Sequence, residues 1–150
     1  MLQQTIDQDI KTAMLAKDNV RLRGLRAIKA ALLHAKTEKG AGDTLTSDTE
    51  VKVLQKLVKQ RKESAGIYVS QNRPDLEKIE VEELEVIEAY LPTQMDRDSI
   101  VAHVKNAIDR AGAVSAKDMG KVMGLVNKEL AGKADGKTIS EVVKEQLSGL

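Results

Sequence analysis

The sequence predicts an all-α protein, and three observations lead there. Apolar residues recur at three- and four-residue spacing, and no stretch alternates with period two for long enough to make a sheet. Two tyrosines are the only aromatic residues, so any core is built from Leu, Ile, Val, Ala and Met, a palette in which Ala, Leu and Met favour helices. Capping and stop residues also stand where the apolar runs begin and end.

A first helix is expected from Gln3 to Lys17, with Ile6, Ile10, Ala13 and Met14 on one face. Asp18 is placed to cap a second, from Asn19 to Lys39, whose apolar positions are Leu22, Leu25, Ile28, Leu32 and Leu33. Gly40 is the natural stop, and Gly40 to Thr44 reads as a loop. Ser47 with Glu50 has the capping-box spacing and opens a third helix reaching Val69, with Val51, Leu54, Val58, Ala65 and Tyr68 inward. Asn72-Arg-Pro74 breaks the chain, and Pro74 suits the first turn of a fourth helix with the stripe Leu76, Ile79, Leu84, Ile87 and Leu91. Tyr90-Leu91-Pro92 ends it and is the expected domain boundary. Three shorter helices follow, Arg97 to Ala111, Ala116 to Ala131 and Ile139 to Leu147. Gly112 closes the first of these, Ser115 caps the second, and Gly132 to Lys137 turns into the third. The expected architecture is four helices packed as antiparallel hairpins over residues 1–92, then a separate three-helix domain over 93–150.

Composition narrows the function classes. A chain of 150 residues with 41% hydrophobic and 31% charged residues is globular rather than disordered. Without cysteine there is no disulfide framework, thiol nucleophile or thiolate metal site. No apolar run approaches the roughly 18 residues that span a bilayer, and Met1 to Ile10 is polar and acidic, so the expectation is a cytoplasmic protein without a membrane partner. The net charge of +1 is uninformative, but its distribution is uneven. Lys11 to Lys62 holds thirteen Lys/Arg against five Asp/Glu, and Asp75 to Glu88 holds seven acids against one lysine. Such segments bind a partner or neutralise each other inside the fold, and mutual neutralisation is the expectation.

The usual catalytic patterns are missing: no phosphate loop, no G-x-G-x-x-G, no H-E-x-x-H. His34 and His103 lack the neighbours of a metal ligand. The fourth-helix acids Glu77, Glu80, Glu82, Glu83, Glu85 and Glu88 read as a solvated or ion-paired face rather than a catalytic pair, which needs a pocket that shifts a pKa. Neither a catalytic residue, a metal site nor a cofactor is predicted. Lys52, Lys56 and Lys59 stripe the third helix and are expected to pair with that acidic face.

The segment Ala116 to Ala131 is the informative one. Met119, Val122, Met123, Val126 and Leu130 share an apolar sector, while Lys117, Lys121 and Lys128 fall opposite, with Gly124 in their stripe and Gly120 beside it. The lysines alone describe a solvated face. The glycines resist that reading, because an exposed Gly inside a helix costs about 1 kcal/mol relative to Ala. Either a second helix packs closely there or a sugar-phosphate backbone approaches the lysines. With no Phe and no Trp the chain offers no stacking platform for splayed bases, so any RNA is recognised by backbone and shape.

Four segments, Val58-Lys-Gln-Arg-Lys-Glu-Ser64, Glu88-Ala-Tyr-Leu-Pro92, Asp118-Met-Gly-Lys-Val-Met-Gly124 and Gly132-Lys-Ala-Asp-Gly136, together resemble YqeY proteins of the GatB/YqeY family over essentially the whole chain. GatB is the subunit of tRNA-dependent amidotransferase that carries the amidation site, and the resemblance covers only its helical tail. The resemblance implies two helical domains and a tail that holds tRNA near its elbow. YqeY-like domains also occur appended to a glutaminyl-tRNA synthetase. Gly120, Lys121, Gly124 and the Gly132 to Gly136 turn match the tail's motif. With Lys117, Lys128, Lys133 and Lys137 they make up the expected RNA-binding set. The family's enzyme label is carbon–nitrogen ligase with glutamine as amido donor, but this chain lacks the amidase signature and the catalytic domain, and kinship does not transfer a reaction whose site is missing. The expectation is a tRNA-binding accessory module working with an amidotransferase or aminoacyl-tRNA synthetase. An amidotransferase-type enzyme acting with a partner and a helical protein–protein scaffold are the alternatives.

Overall fold

The computed structural model describes residues 2–38 and 44–150, and every regular element among them is helical. The chain divides after Pro92 into two compact units. The first contains α1 (Leu2–Leu15), α2 (Asn19–Glu38), α3 (Ser47–Ser70) and α4 (Pro74–Glu88). The second contains α5 (Arg97–Ala111), a 3-10 turn (Ala116–Asp118), α6 (Met119–Leu130) and α7 (Gly136–Ser148).

In the first unit Ile6, Ala13, Leu25, Ile28, Leu32, Leu54, Leu57, Val58 and Ile87 form the buried core. α1 stops at Leu15, two residues before its expected end, because Lys17 turns left-handed at φ 55° and the Asp18 amide donates back to the Ala13 carbonyl. Asp18 then caps α2, its Oδ1 accepting the Arg21 amide at 3.1 Å. Gly24 is buried in α2, where an added Cβ would stand 2.6 Å from Val86 Cβ of α4, so two helices approach closely at this point. Gly40, the expected stop of α2, and residues 41–43 of the loop lie outside the described residues.

Three expectations in this unit need correction. The cap of α3 is Thr46 rather than Ser47: its side chain accepts the Thr49 amide at 3.2 Å. Glu50, freed from the capping box, is buried and accepts the Leu2 amide at 3.1 Å, tying α3 to the start of α1. Met14, Leu33 and Ile79, placed inward by spacing, are 54%, 42% and 40% exposed, since each lies at the margin of its helix's apolar face. Several α4 acids are ion-paired: Arg23 meets Glu82 at 2.9 Å and Glu83 at 3.3 Å, and Arg61 meets Glu83 at 2.8 Å. The partners are not Lys52, Lys56 and Lys59, which make no ion pair among the described residues. At 100° per residue these lysines lie roughly 140 to 200° around α3 from Arg61, away from α4.

The second unit closes its own core with Ile100, Val104, Ala107, Ile108, Val122, Val126, Leu130, Ala134, Ile139, Val142, Val143 and Leu147. Asp96 caps α5 by accepting the Ser99 amide at 2.8 Å, which holds its carboxyl below the usual carboxylate range. Gly112 ends α5 in the left-handed region at φ 65°, a conformation glycine adopts without cost. Ser115 and Asp118 make a capping box over the 3-10 turn. The last helix begins at Gly136, three residues before its expected start.

Candidate nucleic-acid interface

α6 presents two faces. Val122, Val126 and Leu130 are buried, while Gly120, Lys121, Gly124, Asn127 and Lys128 are exposed. Lys121 and Lys128 sit two turns apart and about 20° apart around the axis, with Gly124 between them along the helix. Lys117 lies in the 3-10 turn that leads into α6 rather than in α6 itself. It is exposed beside the start of α6. Lys133 lies in the turn after α6, and Lys137 stands in the first turn of α7 rather than in the turn itself; both are exposed. The turn is fixed by the Met95 amide donating to the Lys133 carbonyl at 2.8 Å and by Gln94 Nε2 donating to the Gly132 carbonyl at 3.0 Å.

The two glycines of α6 are not packing glycines. A Cβ built on Gly120 or Gly124 meets nothing within 4 Å, so no helix of this chain uses the closeness they permit. They leave a smooth strip of backbone beside the lysines. Asn127, one turn from Gly124 and two from Gly120, extends that strip with an amide; its i+3 and i+7 spacing in the sequence points to the same face.

Electrostatics in this unit separates the two kinds of cation. Arg110 binds Glu129 through two hydrogen bonds of 2.7 and 2.9 Å, and that bond holds the Glu129 carboxyl below its usual range. Arg97 binds Glu145 at 2.6 Å. Asp118 accepts the Val114 amide at 2.9 Å within the capping box, and Asp135 accepts the Thr138 hydroxyl at 3.3 Å. Glu129, Glu145, Asp118 and Asp135 are thus engaged locally. Lys117, Lys121, Lys128, Lys133 and Lys137 make no ion pair among the described residues.

No group of three His, Cys, Asp or Glu among the described residues is placed to hold a metal ion. His103 lies 3.6 Å from Glu129 and His34 lies 3.0 Å from Glu38, each an ordinary surface pair. No described helix is long and apolar enough to cross a membrane.

A family model described as Yqey-like protein matches residues 3–147. The chain belongs to the Yqey-like family. Its relatives include proteins named altered inheritance of mitochondria protein 41, mitochondrial. The one from Clavispora lusitaniae is 33% identical over 135 residues, covering 87% of this chain and 76% of the relative. The one from Pyrenophora tritici-repentis is 30% identical over 146 residues, covering 93% and 77%. The Meyerozyma guilliermondii protein is 38% identical over 87 residues, 58% of this chain, and the match spans only 44% of that relative's length. These names place the relatives in mitochondria.

Proposed function

We propose that this Yqey-like chain is a tRNA-binding accessory protein that acts beside an amidotransferase or aminoacyl-tRNA synthetase and has no reaction of its own. In this reading four antiparallel helices form a scaffold and the three-helix unit from residue 93 is the RNA-holding domain. The observation that supports it most is the row of exposed lysines without carboxylate partners, Lys117, Lys121, Lys128, Lys133 and Lys137, beside the open glycines of α6. Phosphate contacts by Lys position a protein on nucleic acid, and bare helix backbone admits a sugar-phosphate chain closely. The tRNA contact that the resemblance to the GatB tail implies involves Gly120, Lys121, Gly124 and the Gly132 to Gly136 turn, which overlap this set. The alternative, an amidotransferase-type enzyme acting with a partner, finds no free carboxylate at Glu80, Glu82 or Glu83 of α4, which are held by Arg23 and Arg61.

The test is fluorescence-detected tRNA binding by the full chain and by the triple variant Lys117→Glu, Lys121→Glu, Lys128→Glu. These side chains are exposed, so circular dichroism and melting temperature should change little, while affinity should fall by about tenfold or more. Wild-type log affinity should fall against log salt with a slope of about −2 to −3, from about three phosphates neutralised. Folded tRNA should outcompete an unstructured oligonucleotide of equal length, as no stacking platform exists. Equal binding by the triple variant at moderate salt refutes this surface.

A further inference from the structure

In the first unit α2 and α3 part to leave a groove of about 330 Å³. Its floor is Ala31 and Ala35 from α2 with Val53 and Leu57 from α3, and one lip carries Lys52 and Lys56 a turn apart. The α3 side runs from Thr49 to Gln60, about 16 Å at 1.5 Å per residue, or three helical turns. Two alanines on the α2 side keep that wall low enough for another backbone to approach. On the opposite lip His34 is held by Glu38 at 3.0 Å.

Charge identifies the occupant. Several other cations of this unit are matched within the fold: Lys29 to Asp7 at 2.9 Å, Arg23 to Glu82 at 2.9 Å, Arg61 to Glu83 at 2.8 Å. Lys52 and Lys56 are exposed and have no ion pair among the described residues. A phosphate backbone would answer the lysines but leave the apolar floor wet. An acidic-edged helix answers both, laying apolar residues at i, i+4 and i+7 into the groove and carboxylates on its lip. We propose that the α2–α3 groove receives an amphipathic helix of a partner protein, its apolar edge on Ala31, Ala35, Val53 and Leu57 and its acidic edge against Lys52 and Lys56.

The experiment is a selection of binders to the full chain from an unbiased display library of helical peptides. Enriched peptides should carry apolar residues at i, i+4 and i+7 with Asp or Glu alongside. They should lose about tenfold or more in affinity for the variant Lys52→Glu, Lys56→Glu. Ala35→Met, which fills the floor with a good helix former, should weaken them as well, with circular dichroism showing both variants folded. The proposal is overturned if no peptide is enriched, if the enriched ones lack acids, or if they bind the variants as well as the native chain. It is equally overturned if sedimentation shows the groove closed by a second copy, released by Lys52→Glu, Lys56→Glu, or if tRNA displaces the peptides from this face.

Discussion

Replacing glycine by alanine should have opposite effects at two helical positions of this chain. At Gly66 in α3 a new Cβ meets nothing within 4 Å, so only helix propensity changes and Gly66→Ala should stabilise by about 1 kcal/mol. At Gly24 in α2 the same Cβ would lie 2.6, 2.7 and 3.1 Å from Val86 Cβ, Cγ1 and Cγ2, against an optimal carbon separation of about 3.5 to 4.0 Å. Val86 is β-branched on a helix and has essentially one χ1 rotamer, so it cannot swing aside. α2 and α4 must separate by about 1 Å, and overpacking of this kind costs about 1 to 3 kcal/mol. The propensity gain is common to both sites and cancels in the comparison. Gly24→Ala should therefore be about 1 to 3 kcal/mol less stable than Gly66→Ala, measured by urea unfolding followed by circular dichroism. In a Val86→Gly background, which removes all three of these carbons, the penalty should vanish, whereas Val86→Ala, which keeps Cβ, should relieve only part of it. Equal stability of Gly24→Ala and Gly66→Ala in the native background, with unchanged m-values, would refute the close contact of α2 with α4.

Two further outcomes follow from the same geometry. Tyr90 donates its hydroxyl hydrogen to Asp9 and accepts from Arg21 at 3.1 Å, and burial, aided by the Asp9 bond, pushes its phenol up to about 12. A folded pKa above the unfolded value near 10 means that this contribution is complete below pH 10 and fades as pH rises through 12. Tyr90→Phe should cost about 1 kcal/mol at neutral pH and should flatten the alkaline loss of stability, read from urea midpoints across that range. Residues 93–150, whose core is made from their own side chains, should unfold cooperatively as an isolated fragment with a stability of a few kcal/mol. A broad, non-cooperative thermal transition would count against independent folding.

Helix existence was legible because each apolar stripe survives an error of one residue; the residues at a stripe's margin were not. Leu32 and Leu33 both fit the spacing of α2, but its inward face is set by Gly24, Leu25, Ile28 and Leu32, and Leu33 falls 100° beyond the last of these. Gly24 carries no apolar signal in the sequence, and only the position of Val86 across the seam explains it. Glu50 had a plausible local partner in Ser47, yet the amide that claims it belongs to Leu2, forty-eight residues away. The sign of the α3–α4 attraction was readable from charge, but which cations take part depends on the rotation of α3, so Arg61 pairs and Lys56 does not. At the candidate interface, helical angle found Lys121, Gly124 and Lys128. It read Lys117 as part of the same helix, because the sequence does not announce that the turn before α6 is 3-10.

In residues 93–150 the two arginines are engaged with glutamates and the lysine amines all stand in solvent. Guanidinium stays protonated under all ordinary conditions, whereas a free amine accepts an acetyl group and loses its charge. The positive charge of its lysines can thus be removed by acylation chemistry without breaking an ion pair that braces its helices. Its electrostatic character is a removable coat over a frame fastened by other means.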